Sequence, residues 1–268
     1  VYWSATGGSV TVRNGRALIN NNGINLLKTA GELSSNIAIL GYSIPISAQA
    51  AKEFGLLFQQ AGVSICYENE GIPPAPGTVM GSVVQAMVSK GCTGVFTTMD
   101  AVGNADMLRD LAPYRSQFKL VDTTYEGYSA DQIALAGVDN AQGLTVGLSS
   151  VPLDDPNPAV HAYQSQLATY QPGKSPSEFG LESWADAQLF VYALIQSGRN
   201  PTRASLISAL SAVKDWTTGG AFGPYTPSER TAPHCSVNVQ VKGNGFVRIA
   251  PASGLYCVGQ LVDVGPAG

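Results

Sequence analysis

The sequence carries little charge and few histidines, and it lacks long apolar runs. Only 13% of its 268 residues are charged, and a net charge of −4 provides no basic surface for nucleic acid. No apolar run approaches the roughly 20 residues that a membrane-spanning helix needs. The first ten residues, VYWSATGGSV, contain neither a basic segment nor a cleavage site, so we expect any signal peptide to be absent or already removed. The composition therefore argues against a nucleic-acid partner and against a transmembrane segment.

The signatures of catalysis and of cofactor binding are also missing. The sequence holds no phosphate-binding glycine loop, no dinucleotide fingerprint and no Gly-x-Ser-x-Gly nucleophile elbow. His161 and His234 have no metal-binding partner four residues on, which favours surface or structural roles. His234 beside Cys235 could form a thiolate pair, but a disulfide would remove that nucleophile. Asp100 and Glu126 could act as an acid–base pair, yet nothing else supports catalysis. We therefore expect a protein that is not an enzyme and uses no cofactor or metal.

The four cysteines allow three pairings. Cys235 and Cys257 flank VNVQVKGNGFVRI, which indicates two strands joined by a turn at 242–245, and such a hairpin brings its flanks together. A Cys235–Cys257 disulfide is therefore expected. Cys66 lies inside an apolar strand and Cys92 just before another, so these two form either a second disulfide or a pair of inert core thiols. The even cysteine count favours an oxidising, exported setting.

From residue 37 onwards, apolar strands alternate with amphipathic helices. Between the strands, apolar residues recur at the i, i+3, i+4 spacing of a helix, as over residues 54–61, and Asn104 is predicted to cap the third of these helices. The strands are almost continuously apolar, which is typical of a parallel sheet covered by helices on both faces. The sequence therefore predicts an α/β fold built on an open, doubly wound parallel sheet. The predicted strands are 37–42, 63–68, 94–99, 119–125 and 144–148.

After residue 150 the pattern changes to helices without strands. Apolar stripes mark helical segments over 160–170, 184–194 and 206–213, and each stripe must pack against something. The residues before 37 offer a hairpin turning at Asn14-Gly15, or a connector into a helix at 24–33, which is too little for a second sheet. We therefore expect that the chain is incomplete or that a partner covers these helices.

Five segments between residue 37 and about 250 carry a resemblance to a known family. They are IAILGYSIPISAQAAKEFGLLFQQAGVSICYE, GSVVQAMVSKGCTGVFTTMDAVGNADMLRDL, LVDTTYEGYS, ESWADAQLFVYAL and AFGPYTPSERTAPHCSVNVQV. In this order they resemble the type I periplasmic binding proteins, most of all the branched-chain amino-acid (Leu/Ile/Val) receptors of ABC transporters. The resemblance implies two lobes that close on a ligand, with the N-terminal part of lobe 1 missing here. It divides the chain into a connector or lobe 1 remnant (1–36), the ligand-binding lobe 2 (37–150), a helical return to lobe 1 (151–238) and a C-terminal hairpin joining lobe 2 (239–268).

The function that the resemblance implies is solute capture for import. Such a protein is the extracytoplasmic solute-binding component of an ABC importer, either periplasmic or at the cell surface, and free or lipid-anchored. It binds a small polar or zwitterionic, amino-acid-like solute and delivers it to the transporter permease. The alternative is a ligand-sensing module of the same fold that signals to a regulator. Departures from the family pattern at Ile46 and Asp100, where tyrosine is usual, leave amides, short peptides and aromatic acids open as solutes.

The ligand site is expected outside the carboxyl ends of the parallel strands, where the strand order reverses. The first loop, GYSIPIS, has one glycine and no lysine, so it suits a small polar solute better than a phosphate. Ser47 is expected to cap the helix that follows. By the resemblance, the ligand-contacting residues are Tyr42, Ser43, Ser47, Met99, Asp100, Thr124, Tyr125, Glu126 and Trp184.

Each of these residues also has a structural interpretation. Tyr42 can pack on its own lobe, Asp100 can cap a turn and Met99 can fill the core. Glu126 can be a solvated surface carboxylate, and Trp184 can anchor a buried helix. The sequence leaves these alternatives open.

Overall fold

The computed structural model describes residues 10–77, 79–231 and 234–266. The first nine residues of the expected N-terminal connector, and the last two of the expected C-terminal hairpin, lie outside this part of the chain. The strands are β1 (Thr11–Arg13), β2 (Arg16–Asn20), β3 (Asn36–Tyr42), β4 (Ser64–Ile72), β5 (Gly94–Thr97), β6 (Leu120–Thr123), β7 (Leu144–Leu148), β8 (Val237–Lys242), β9 (Gly245–Ala250) and β10 (Leu261–Pro266). The helices are α1 (Asn22–Ala30), α2 (Pro45–Gln60), α3 (Val79–Ser89), α4 (Ala101–Leu111), α5 (Ala130–Ala136), α6 (Val138–Ala141), α7 (Pro158–Tyr170), α8 (Glu178–Gln196) and α9 (Arg203–Ala212). Short 3₁₀ turns occupy Ala112–Gln117, Tyr125–Gly127 and Pro227–Glu229.

The main sheet has seven strands in the order β4-β3-β5-β6-β7-β8-β9. The first five run parallel, and β8 and β9 add an antiparallel edge. Each predicted strand is present, so the predicted α/β fold with a doubly wound parallel sheet is confirmed. Along β3, Ala38 and Leu40 belong to one core and Ile37 and Ile39 to the other, because side chains alternate between the faces of a strand. Helices cover both faces, which explains the continuous apolar runs.

A second, three-stranded sheet has the order β1-β2-β10. The β1–β2 hairpin turns at Asn14 and Gly15, whose φ angles of 51° and 71° are the left-handed values that a tight hairpin turn requires. The sequence left open a hairpin at Asn14-Gly15 or a connector into a helix at 24–33. Both features occur, because the hairpin leads directly into α1. The segment 239–268, expected as one hairpin, is divided: β8 and β9 extend the main sheet, whereas β10 pairs with β2.

Helices α7, α8 and α9 form a separate apolar core. They bury side chains such as Val160, Leu189 and Leu210 against one another. The opposite face of α8 remains uncovered by the described residues, because Phe190 is 49% exposed and Ile195 is 69% exposed. Among the described residues, none of the helices combines the length and apolarity that crossing a bilayer requires.

Both cysteine pairs form disulfides. Cys235 is bonded to Cys257, as expected from the hairpin between them. Cys66 on β4 is bonded to Cys92, which lies two residues before the start of β5. The alternative of two inert core thiols is therefore wrong. The strands β4 and β5 lie on either side of β3, and this places the two sulfurs within bonding distance.

Candidate functional site

A pocket of about 530 Å³ lies at the carboxyl ends of β3, β5 and β6. The chain adds β4 on one side of β3 and β5 on the other, so the strand order reverses between β3 and β5. Ligands of open α/β sheets bind outside this reversal point. The structure brings together six of the predicted ligand-contacting residues in the pocket lining: Tyr42, Ser47, Asp100, Thr124, Tyr125 and Glu126.

A side-chain hydrogen bond joins Tyr42, at the carboxyl end of β3, to Asp100, just after β5. The Tyr42 hydroxyl donates to Asp100 Oδ1 at 2.6 Å, and burial raises the pKa of this hydroxyl. Asp100 also caps α4, because its Oδ1 accepts from the backbone N–H groups of Val102 (3.0 Å) and Gly103 (3.1 Å). A Cβ at Gly103 would lie 2.2 Å from the tyrosine oxygen, so only glycine permits this approach. The prediction that Asn104 caps this helix is wrong.

Ser47 connects two loops instead of capping a helix. Helix α2 begins at Pro45, a residue suited to the first helical position, and Ile44 in the cap position makes no side-chain cap bond. Ser47 lies in the first turn, where its Oγ accepts from the Tyr42 backbone N–H and donates to the Thr98 carbonyl, both at 2.8 Å. The predicted cap at Ser47 is therefore wrong, and the side chain fastens the loop after β3 to the loop after β5.

Glu126 and Thr124 place buried polar atoms at the lining of the pocket. Glu126 lies in the turn Tyr125–Gly127 after β6. Its Oε2 and the Thr124 Oγ1 are both buried and have no hydrogen-bond partner among the described residues. Burial raises the pKa of Glu126; interaction with the Thr124 hydroxyl and the Glu126 backbone N–H opposes this shift, and the nearby charge of Asp100 adds to it. The carboxyl group is therefore held ready for a hydrogen-bond donor or a cation.

Three predicted residues do not line the pocket. Ser43 is exposed, and its backbone N–H donates to the Ile72 carbonyl at 2.7 Å. Met99 is fully buried in the core beneath α4. Trp184 packs among α7 and α8, where its indole N–H donates to Gln166 Oε1 at 2.9 Å. In this arrangement Met99 fills the core and Trp184 anchors a helix.

Sequence reasoning missed other residues of the pocket lining. Gln49 and Glu53 on α2 stand four residues apart, and Gln49 Nε2 donates to the buried Glu53 carboxylate at 2.8 Å. That spacing was a usable signal, because residues four apart share a helix face. Val10 and Val12, at the first strand, also line the pocket. Nothing local indicates their position, since the pairing of β2 with the distant β10 fixes the small sheet. Among the described residues, no group of three or more His, Cys, Asp or Glu side chains is arranged to hold a metal ion.

Comparison with known families decides what kind of protein carries this pocket. A sequence model of the family described as periplasmic binding protein matches residues 2–245. The chain belongs to the periplasmic binding protein family. A search of curated protein sequences finds no match to it.

Solved structures share the fold of this periplasmic binding protein at low identity. A branched-chain amino acid ABC transporter from Thermus thermophilus, solved with bound valine, is 20% identical with a TM-score of 0.66, and the match covers 88% of this chain and 64% of that one. A substrate-binding periplasmic protein from Ralstonia solanacearum is 19% identical with a TM-score of 0.71 (85% and 64% covered). A fatty acid ABC transporter substrate-binding protein from Thermomonospora curvata is 16% identical with a TM-score of 0.70 (88% and 61%). The fold is thus that of a type I periplasmic binding protein, and this chain spans less than two thirds of their length.

In this periplasmic binding protein, two buried glutamates hold the connector that leaves β7. Glu178 Oε1 accepts from the backbone N–H of Ser149 (3.0 Å), the Ser149 hydroxyl (3.1 Å) and the backbone N–H of Ser150 (3.3 Å). Glu182 Oε1 lies 3.3 Å from the same hydroxyl. Burial, with the neighbouring Glu182, raises the pKa of Glu178 to about 8, and burial raises that of Glu182 to about 7. The connector is thus attached to α8 by carboxyl groups that titrate near neutral pH.

The stability of the protein should fall as the pH rises towards 8. Folded Glu178 keeps its proton up to about pH 8, whereas the unfolded chain loses it near the ordinary value of 4.5, so the folded state binds more protons in this window. We expect Glu178→Gln to have a higher melting temperature than the wild type at about pH 8.5, and the difference to shrink as the pH falls towards 4.5, where the unfolded chain also keeps its proton. Thermal unfolding at several pH values measures this difference. The control is Glu229→Gln at an exposed position, and equal pH slopes in all three proteins would contradict the assignment.

Proposed function

We propose that this chain is the solute-binding part of an ABC importer and that its pocket holds a small polar or zwitterionic, amino-acid-like solute. The buried Glu126 Oε2, which has no hydrogen-bond partner by distance and angle among the described residues, carries this proposal, with the Thr124 hydroxyl beside it. A buried acceptor without a partner costs about 1–3 kcal/mol, so a solute that donates hydrogen bonds there gains this energy on binding. Ammonium and amide groups are donors of this kind.

The charge of the pocket supports a solute whose donor end faces this lobe. Glu53, Asp100 and Glu126 line the pocket, and no lysine, arginine or histidine stands among its described lining residues. Asp100 Oδ1 is already engaged by Tyr42 and by the start of α4, which leaves Glu126 as the carboxylate best placed for the solute. We propose that any anionic group of the solute is held by residues outside this pocket.

The lobe arrangement is part of the same proposal. Residues 37–150 would form the ligand-binding lobe 2, joined by the hairpin within 239–268, with 1–36 as the connector. Residues 151–238 would return to lobe 1. In support, the main sheet contains the first segment together with β8 and β9, while α7–α9 have a core of their own. The exposed apolar face of α8 is where the rest of lobe 1 would pack.

An exported, non-catalytic role is consistent with these features. Solute-binding proteins of this family act outside the cytoplasm and are not enzymes, and two disulfides suit an oxidising compartment. The permease of an ABC transporter is the proposed partner, with the protein either free or lipid-anchored. The solved relatives are named for solutes as different as valine and fatty acids, so the fold does not fix the solute.

The test is a thermal-shift screen of the complete protein against amino acids, amides, short peptides and aromatic acids. For any solute that raises the melting temperature, calorimetry on Glu126→Gln should show at least tenfold weaker binding, about 1.4 kcal/mol, because the carboxylate acceptor is lost. The matched control is Glu68→Gln, an exposed glutamate on β4 outside the pocket, which should bind as the wild type does. Unchanged affinity in Glu126→Gln would remove Glu126 from the site.

A further inference from the structure

A second cavity lies on the face of the main sheet that packs against α1 and α2. Its volume is about 190 Å³. It shares Phe54, Thr124 and Tyr125 with the pocket described above, whereas Asp100 and Glu126 do not line it. The two spaces are therefore distinct. The apolar walls of the second cavity include Ile24, Leu27, Phe54, Phe58, Phe96 and Leu148.

Polar side chains also line this cavity, and two of them, Asp122 and Asn238, are buried and carry an open acceptor. Asp122 on β6 is 6% exposed, and its Oδ1 has no hydrogen-bond partner among the described residues. Asn238 on β8 is 1% exposed; its Nδ2 donates to the Gly23 carbonyl at 3.1 Å, and its Oδ1 has no partner within the described part of the chain. Buried polar groups are almost always hydrogen-bonded in native proteins. Asn20, which also lines the cavity, has a buried Nδ2 donor without a partner among the described residues. The two open acceptors call for a donor, and Asn20 Nδ2 has room for an acceptor.

The strand between the two acceptors presents a glycine to the cavity beside Asn238. Strand β7 lies between β6 and β8, and its Gly147 pairs with Asn238. Gly147 lines the cavity without a side chain, and a Cβ there would lie 3.6 Å from Asn238 Oδ1. A larger residue at this position would occupy the space beside the acceptors.

We propose that this cavity binds a small primary amine with an apolar body, whose ammonium group donates hydrogen bonds to Asp122 and Asn238. An ammonium group carries several donors and no acceptor, which matches two open acceptors. Glu182 adds a second carboxylate to the lining, and no basic side chain stands among the described lining residues. An apolar cavity of about 150 Å³ holds benzene, so this one has room for a single ring with a short arm.

The protonation chemistry of Asp122 agrees with this geometry. Burial raises the pKa of Asp122 well above its usual range, as expected for a carboxyl group with no cationic partner. A bound ammonium group would lower this pKa, because an opposite charge favours the carboxylate. The amine would thus stabilise the carboxylate form that burial alone disfavours.

The test uses 2-phenylethylamine as the probe and calorimetry on the full chain. We expect a dissociation constant below about 1 mM for the wild type. Binding should weaken at least tenfold in Asp122→Asn and in Gly147→Ala, which narrows the cavity beside Asn238. Glu126→Gln, which alters only the proposed solute pocket, should bind the amine as the wild type does. Ethylbenzene, which matches the body but has no nitrogen, should bind at least tenfold more weakly than the amine.

Three results would overturn the proposal. Absence of amine binding up to about 10 mM would mean that the cavity holds only water. Loss of binding in Glu126→Gln with retention in Asp122→Asn would assign the amine to the first pocket, which would leave the proposed solute site intact. Equal affinity for ethylbenzene and the amine would show that the polar pair recognises nothing.

Discussion

Replacement of Asn104 by alanine is expected to lower the free energy of unfolding by about 3 kcal/mol and to weaken solute binding. The Asn104 side chain is fully buried behind the loops that form the pocket. Its Nδ2 donates to the Met99 carbonyl (2.9 Å) and to Thr123 Oγ1 (3.0 Å), and its Oδ1 accepts from Thr97 Oγ1 at 2.6 Å. This one amide thus joins the ends of β5 and β6 to the first turn of α4.

The cost arises because alanine removes hydrogen bonds from buried partners. The Met99 carbonyl would lose the bond from the Asn104 amide. Each threonine hydroxyl would lose one bond while keeping the 2.8 Å bond from Thr97 Oγ1 to Thr123 Oγ1. Met99 directly precedes Asp100, so the loop that carries the Tyr42–Asp100 contact would lose its support. Urea denaturation measures the stability, and calorimetry with a solute from the screen measures the binding. The matched control is Asn140→Ala, because that partly buried side chain makes one bond, to the Ala136 carbonyl, and should cost less than about 1 kcal/mol. A stability for Asn104→Ala within 0.5 kcal/mol of the wild type would show that this network contributes little.

Removal of the Cys235–Cys257 disulfide is expected to have an effect of similar size. The bond closes a loop across 22 residues, and the double serine variant should lose about 3 kcal/mol through the greater entropy of its unfolded chain. The segment between β9 and β10 contains no helix or strand of its own apart from a bridge between Tyr256 and Ser236. We therefore also expect local loosening of β10, which should appear as faster amide hydrogen exchange in β2 and β10.

The Cys66–Cys92 pair provides the matched comparison for this prediction. Its sequence separation of 26 gives nearly the same loop entropy, so its double serine variant should lose a similar amount of global stability. This pair joins β4 to the residues just before β5, however, so amide hydrogen exchange in β2 and β10 should not change. Identical exchange patterns in the two variants would show that the Cys235–Cys257 bond does not specifically hold β10.

The fold was largely predictable because buried parallel strands leave a strong signal in the sequence. Runs such as 37–42 and 144–148 are apolar throughout, and the observed β3 and β7 coincide with them to within one residue. Helix starts were harder to predict. Asp100 and Asn104 are both suitable capping residues. In the structure Asp100 caps the helix, whereas the Asn104 side chain is turned inwards to buried partners such as the Met99 carbonyl. Ser47 was misassigned because Pro45 already begins the helix.

The pocket was predictable where it depends on topology and unpredictable where it depends on distant pairing. Residues that follow β3, β5 and β6 meet because parallel strands end at the same edge of a sheet, and this brings Tyr42, Asp100 and Glu126 together. Val10 and Val12 reach the pocket through a strand pairing between residues more than 200 positions apart, which leaves no periodic trace. The open acceptor atoms of Asp122 and Asn238 are likewise a property of packing, and no sequence pattern reports them.

The position of β4 at the end of the main sheet has a consequence for self-association. An outermost strand offers free backbone groups to which another chain can add in an edge-to-edge fashion, the route by which sheets polymerise. Here that strand carries Glu68 and Glu70 on either side of Asn69, all short of full burial. Two copies that approached along this edge would bring carboxylates against carboxylates, and their repulsion opposes growth into a larger ribbon.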